Sequence, residues 1–165
     1  DMHASNAGLG SDIIACPGLD YCNLSNARSI SVANEIQAVF ADPEFEDEVG
    51  TLHVNVSGCI NACGHHHVGH IGVLGVDKND AEFYQVTLGG RQGNDARLGT
   101  IIGPSFSADE MPDVVGKIVK VYLAHRHADE SFLDTLDRIG IDPFKNRVYE
   151  GRAHGTAKAA EKEAA

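Results

Sequence analysis

The four cysteines of this chain fall in two short segments, and this distribution constrains the fold more than any other feature. Five residues separate Cys16 from Cys22, and three separate Cys59 from Cys63. Loops of these lengths can turn the two sulfurs of each pair toward a common point. If the two pairs meet, they offer four soft thiolates, which suit an iron–sulfur cluster or a zinc ion.

The spacing of the cysteines favours a cluster among several alternatives. Structural zinc sites usually use C-x2-C or C-x4-C knuckles, which neither pair matches. Two disulfides are disfavoured because the chain is not cysteine-dense and begins with no recognisable signal peptide. Unrelated buried thiols are the remaining alternative. Gly58 and Gly64 flank the second pair, where glycine permits close approach of backbone N–H groups to sulfur.

Composition excludes two classes of function. The formal net charge of −11 would repel a phosphate backbone, so the sequence predicts no nucleic-acid binding. No apolar run approaches the ~20 residues that span a bilayer, so no membrane partner is expected. An apolar fraction of 42% is that of an ordinary globular protein, and free thiols favour a reducing, cytoplasmic location.

Apolar periodicity predicts an α+β fold, with a mixed or antiparallel sheet and helices packed on one side. A capping box at Ser107 and Glu110 predicts the start of a long helix. The other predicted elements are a helix over 23–41, an acidic connector over 43–50, strands over 51–57, 71–76, 81–88 and 97–102, and a helix over 129–139.

The same pattern divides the chain into three parts. Residues 1–12 show no periodicity and are expected to form a flexible lead-in or the cut end of a longer protein. Residues 13–150 form the predicted cluster-binding domain. Residues 151–165 are rich in alanine, glutamate and lysine and are expected to be disordered.

Histidines follow the second cysteine pair directly, at His65, His66, His67 and His70. Three consecutive histidines cannot all face one point in a helix or a strand, which argues against a dedicated second metal site. A hydrogen-bonded or solvent-facing loop, contact with a cofactor edge and a role in proton supply remain open.

The cysteine pattern, with Gly-Cys-x-Asn-x-Cys-Gly at the second pair, resembles the C-terminal half of the sirohaem sulfite and nitrite reductases. The resemblance continues through residues 70–75 and through Leu88-Gly89-Gly90-Arg91, which is similar to the family's Gly-Gly loop. It implies a [4Fe–4S] cluster held by Cys16, Cys22, Cys59 and Cys63, with Cys63 also bridging to a sirohaem. It further implies that Asn61 packs near the macrocycle, and, more loosely, that Gly89, Gly90 and Arg91 contact the cofactor.

By this resemblance the chain is part of an assimilatory reductase that converts sulfite to sulfide or nitrite to ammonia with six electrons. The family's substrate-gripping basic residues come largely from an N-terminal half, which this sequence does not show, so the isolated fragment is expected to be inactive. Expected partners are that half, a small oxyanion and a ferredoxin or flavoprotein donor. The alternative is an iron–sulfur electron-transfer module without catalysis of its own.

Overall fold

A five-stranded mixed sheet in the order β1-β2-β3-β4-β5 forms the centre of the molecule. A computed structural model describes residues 6–152. The first three strands are parallel, and β3, β4 and β5 are antiparallel, as the sequence predicts for a mixed α+β fold. The strands are β1 (Ile14–Ala15), β2 (Val54–Ser57), β3 (Ile71–Lys78), β4 (Ala81–Leu88) and β5 (Thr100–Ile101).

Within residues 6–152, five α-helices accompany the sheet. They are α1 (Ile30–Gln37), α2 (Pro43–Val49), α3 (Met111–His125), α4 (Phe132–Ile139) and α5 (Asp142–Tyr149). The predicted capping box is confirmed, because the Ser107 N–H donates to Glu110 Oε2 at 2.8 Å ahead of α3. Ser131 caps α4 by accepting from the Asp134 N–H.

Three segments differ from the predictions. The helix predicted over 23–41 begins only at Ile30, because the Ala27 N–H, which a helix from Asn23 would bond to Asn23 O, donates instead to Gly58 O at 3.0 Å. The acidic connector is in fact α2, capped by Asp42. A further helix, α5, follows Gly140, in a segment for which the sequence predicted no element.

The two faces of β2 pack against different parts of the chain. Val54 and Val56 are fully buried in the core formed by the helices, together with Ile36, Ile118 and Phe132. Asn55 points to the other face, where its Nδ2 donates to Gly64 O at 3.1 Å and to His65 O at 3.2 Å. The segment from Cys59 to His70 therefore crosses this face while it connects β2 to β3.

Both ends of the sequence fall partly outside the described residues. The predicted lead-in is described from residue 6, where the Ser11 N–H donates to Glu46 Oε1 at 2.9 Å and the Leu52 N–H donates to Gly8 O. The tail predicted to be disordered lies outside the described residues from 153 onward. In the part of the chain between residues 6 and 152, no helix has the length and apolar character to cross a bilayer.

Candidate metal centre

Parallel pairing brings the two cysteine segments to the same end of the sheet. Cys16 directly follows β1, and Cys59 lies two residues after β2. Because β1 and β2 are parallel and Ala15 pairs with Val56, both chains leave the sheet at its carboxyl edge. This register, rather than the spacing within either pair, makes the two pairs neighbours.

Hydrogen bonds join the two segments into one unit. The Gly58 N–H donates to Cys16 Sγ at 3.2 Å, and Gly58 O accepts from Asn26 and Ala27. The Leu19 N–H donates to Ala27 O at 3.0 Å, so the first loop folds back on the residues that follow it. The cysteine loops are therefore fixed to each other by backbone groups.

Glycines make this close contact possible. A Cβ on Gly58 would lie 2.5 Å from Ala27 O and 3.2 Å from Gly18 Cα, which is too close for any side chain. Gly64 lies against the backbone of Val56, and its N–H donates to Ser57 Oγ at 3.1 Å. The sequence predicts that backbone N–H groups at these glycines approach sulfur; the Gly58 N–H does so at Cys16 Sγ, whereas the Gly64 N–H bonds to the Ser57 hydroxyl.

The four thiols differ in exposure. Cys16 and Cys59 are 9% and 7% exposed, Cys22 is half-buried, and Cys63 is exposed. All four are free thiols. Asn61, the residue predicted to pack near a macrocycle, is also exposed and lies between Cys59 and Cys63.

Four free thiols on two joined loops are a donor set that suits an iron–sulfur cluster or a zinc ion. A single zinc ion, at about 2.3 Å from each sulfur, would draw four sulfurs into close contact. Among residues 6–152, no three Cys, His, Asp or Glu side chains are gathered so tightly that they could share one ion. In a [4Fe–4S] cluster each cysteine binds a different iron, so the ligands are spread farther apart.

Four exposed apolar residues, which we call the apolar collar, lie next to the cysteines in the sequence. The collar consists of Leu19, Tyr21, Leu24 and Ile60, which are 40%, 80%, 71% and 80% exposed. All four lie on or directly beside the two cysteine segments. Exposed apolar side chains clustered in this way are typical of a surface that meets another group or another protein.

Arg28 fastens the first cysteine loop to the sheet. Its Nε donates to Asp20 Oδ1 at 3.1 Å, and its Nη1 donates to Glu82 Oε1 at 2.7 Å. Both contacts are ion pairs, so the positive charge of this guanidinium is already matched by two carboxylates. Arg28 thus positions the loop and is not available as a free cation.

The Gly-Gly loop, whose residues are predicted to contact the cofactor, lies away from the cysteines. Leu88 pairs with Ile71, which pairs with Val54 at the start of β2. Gly89, Gly90 and Arg91 therefore lie at the opposite end of the sheet, roughly 15 Å from Cys59 at the usual rise of a strand. A Cβ on Gly90 would come too close to the backbone of Val68 and Gly69, which accounts for a glycine there without a ligand. Contact of Gly89, Gly90 and Arg91 with a sirohaem therefore stays a prediction.

The histidines do not form a second metal site in the described structure. The ring centroids of His65 and His67 are 6.2 Å apart, and those of His66 and His67 are 5.4 Å apart. His66 is 8% exposed, and burial lowers its pKa, with a further contribution from His67. Within residues 6–152, its Nδ1 has no hydrogen-bond partner.

His70 lies with His53 at the far end of the sheet. The two rings meet edge to face at 4.6 Å, and His70 Nδ1 accepts from the His53 backbone N–H at 3.2 Å. With Val68, Arg91 and Gln92 they line a cavity of about 130 Å³. Burial, then His53 and Arg91, lower the pKa of His70 to about 4. The ring is therefore neutral at pH 7 and carries its proton on Nε2.

This low pKa predicts a loss of stability in acid. Between about pH 6.5 and pH 4, the unfolded chain binds a proton at His70 that the folded chain does not, so the free energy of unfolding falls as the pH drops through this window. After allowance for the partial exposure of the ring, we expect a loss of about 2 kcal/mol. Urea unfolding of the apoprotein at a series of pH values measures it.

The variant His70→Gln should flatten this dependence, because it removes the group whose pKa is lowered on folding. An equally steep acid dependence in wild type and His70→Gln would contradict the assignment.

Comparison with known proteins extends this description. The model of the family described as the nitrite and sulphite reductase 4Fe-4S domain matches residues 11–155. A sulfite reductase [ferredoxin] of Mycobacterium tuberculosis is 28% identical over 148 residues, covering 81% of this chain and 26% of the relative. An assimilatory ferredoxin-dependent nitrite reductase of Haloferax mediterranei is 27% identical over 134 residues, covering 78% of this chain and 23% of the relative.

Solved structures show the same fold. The structure of the Mycobacterium tuberculosis NirA protein superposes with a TM-score of 0.69 at 27% identity, covering 80% of this chain and 26% of that one. Dissimilatory sulfite reductase I gives a TM-score of 0.70 at 12% identity, with 82% of this chain and 51% of that one covered. The chain spans about a quarter of the length of the first two curated relatives.

Proposed function

Because this chain belongs to the nitrite and sulphite reductase 4Fe-4S domain family, we propose that it is the cluster-binding part of an assimilatory sirohaem reductase. The net reaction adds six electrons to sulfite, with protons, to give sulfide and water, or to nitrite to give ammonium and water. The observation that carries the proposal is the junction of two cysteine pairs at the carboxyl edge of parallel strands, fixed by the bonds of Gly58.

Cys16, Cys22, Cys59 and Cys63 would hold the cluster, which when bound supplies electrons one at a time. Cys63 is the exposed member of the set, so its sulfur has an open side from which a second metal could be reached. This exposure supports Cys63 as the ligand shared with a sirohaem. Asn61, exposed two residues earlier, would then lie beside the macrocycle.

The apolar collar supports a partner on the same face. Tyr21 and Ile60 are each 80% exposed beside the cysteines, and their burial by a macrocycle or by the remainder of the reductase would remove this apolar area from water. Arg28 is engaged by Asp20 and Glu82. The cations that grip an oxyanion would thus come from outside this chain, which would be inactive alone.

Ferredoxin is named as the donor in the relatives from Mycobacterium tuberculosis and Haloferax mediterranei. We infer a ferredoxin or a flavoprotein as the donor here, and a cytoplasmic location for the whole enzyme. A sulfite substrate and a nitrite substrate are both consistent with these relatives, and the residues that choose between them would lie with the substrate cations.

The test is anaerobic purification with iron and sulfide assays and a visible spectrum. About four iron and four sulfide per chain, with a broad sulfur-to-iron absorption band, are expected for one cluster. Stoichiometric zinc, or a colourless protein after reconstitution with iron and sulfide, would contradict the proposal.

The second candidate is an electron-transfer module without catalysis, for which four free thiols on two joined loops would suffice. Addition of sirohaem to the cluster-loaded chain distinguishes the two. A shifted haem spectrum with the cluster-loaded chain, absent with the apoprotein, is expected for the reductase, whereas an unchanged spectrum of free sirohaem would favour the module.

A further inference from the structure

Ser29 is completely buried between the first cysteine loop and α1. It occupies the N-cap position of this helix, where a serine hydroxyl ordinarily accepts from a backbone N–H of the first turn. Here the side chain makes no such bond. The hydroxyl donates instead to Cys16 O at 2.5 Å and lies 3.5 Å from Cys16 Sγ.

Giving up the cap destabilises the start of the helix, so another interaction has to account for the orientation of the hydroxyl. The surroundings are shaped to hold it there. Gly18 has a positive φ of 67°, and a Cβ at that position would collide with Ser29 Oγ and Ser29 N. The first cysteine loop therefore leaves room for this one hydroxyl beside the sulfur.

The chemistry of Cys16 changes when it binds iron. As a free thiol it has a proton that Ser29 Oγ can accept, while the serine O–H bonds to Cys16 O. As an iron ligand the sulfur is a thiolate and can only accept hydrogen bonds. The Gly58 N–H already donates to it at 3.2 Å. The Ser29 hydroxyl then has two acceptors on the same residue, the carbonyl oxygen and the charged sulfur.

We propose that Ser29 is a positioning residue that donates a hydrogen bond to the sulfur of ligated Cys16 and thereby raises the reduction potential of the cluster. This inference rests on the proposed cluster. Hydrogen bonds to cluster sulfur stabilise the more negative, reduced state, and the burial of Ser29 strengthens the effect because no water competes for the sulfur. The backbone N–H of Gly58 supplies a fixed bond, and the hydroxyl supplies one that a side-chain substitution can remove.

The experiment compares the midpoint potential of the cluster in the wild-type chain with that in Ser29→Ala. We expect about a tenfold lower ratio of reduced to oxidised cluster at a fixed potential, equivalent to a downward shift of about 59 mV for a one-electron couple. The matched control is Ser25→Ala. Ser25 is 8% exposed, and its hydroxyl donates to Ala27 O within the same pair of loops, away from Cys16 sulfur.

The outcomes separate this inference from the proposed function. If the wild-type chain takes up no iron, both fall. If it holds about four iron, and the potential of Ser29→Ala equals that of wild type or shifts no more than that of Ser25→Ala, the inference alone is overturned. Iron content and thermal unfolding of each variant show whether a shift comes from loosening of the loops.

A second measurement covers the case in which Ser29→Ala cannot retain a cluster. Resonance Raman spectra of the wild-type chain, before and after transfer to deuterated water, report exchangeable hydrogen bonds to cysteine sulfur through the iron–sulfur stretching bands. Because a hydroxyl proton exchanges faster than a buried amide proton, an early shift is expected from Ser29. The absence of any shift before the amides exchange would overturn the inference.

Discussion

Gly58→Ala is expected to prevent cluster loading and to lower the free energy of unfolding by roughly 3 kcal/mol. The added Cβ would lie 2.5 Å from Ala27 O and closer still to Ser25 Oγ, so the two cysteine loops would have to separate. That movement would break the bonds from Asn26 and Ala27 to Gly58 O and the bond from Gly58 N–H to Cys16 Sγ. Urea unfolding of the apoprotein and an iron assay after reconstitution measure the two effects.

Gly116→Ala is the matched control, because this glycine lies inside α3 and a Cβ there would meet nothing closer than Val39 Cγ1 at 3.9 Å. Alanine has the higher helix propensity, so this variant should be as stable as wild type or more stable by up to about 1 kcal/mol. Full iron loading in Gly58→Ala would show that the contact of the two loops is not needed for the site.

Cys16→Ser and Cys63→Ser should both lose the cluster but should differ in the stability of the apoprotein. Serine is a much poorer ligand for iron than thiolate, so we expect iron to fall from about four per chain to nearly none in each variant. Cys16 is buried and accepts from Gly58 N–H, so its replacement should cost about 1 to 2 kcal/mol. Cys63 is exposed, and its replacement should change stability by less than about 0.5 kcal/mol.

Iron and sulfide assays together with thermal unfolding of the metal-free proteins test this pair of variants. Retention of about four iron by either one would remove that cysteine from the ligand set. Equal destabilisation of the two apoproteins would contradict the difference in burial on which the expectation rests.

The sequence predicted the chemistry of the site better than its architecture. Cysteine spacing indicated a cluster, and alternation of apolar residues located β2 and β4 closely, since both follow from local rules. The start of α1 could not be read in this way. Ala27 fits a helical period, but its N–H is used by Gly58, which is remote in sequence, and only the tertiary structure reveals that competition.

The position of the Gly-Gly loop could not be predicted from the sequence either. A glycine pair followed by an arginine is compatible with ligand approach, and nothing local distinguishes this from close packing of two backbones. Because β4 runs antiparallel to β3, Gly89 and Gly90 lie away from the cysteines. The register between β3 and β4 sets this position. Ser29 was missed for a related reason, because a serine ahead of a helix ordinarily predicts a cap.

The interlocked cysteine loops bear on how iron could enter the site. Backbone hydrogen bonds join the two loops without any metal. The conformational entropy lost in bringing the ligands together is therefore lost on folding and not on metal binding. Cys16 and Cys59 then face inward, and Cys63 marks the open side. Iron and sulfide delivered to the site, and dissolved oxygen that attacks a finished cluster, would approach from the side of the exposed Cys63. A macrocycle seated over Cys63 would therefore serve as a cover for the cluster as well as its redox partner.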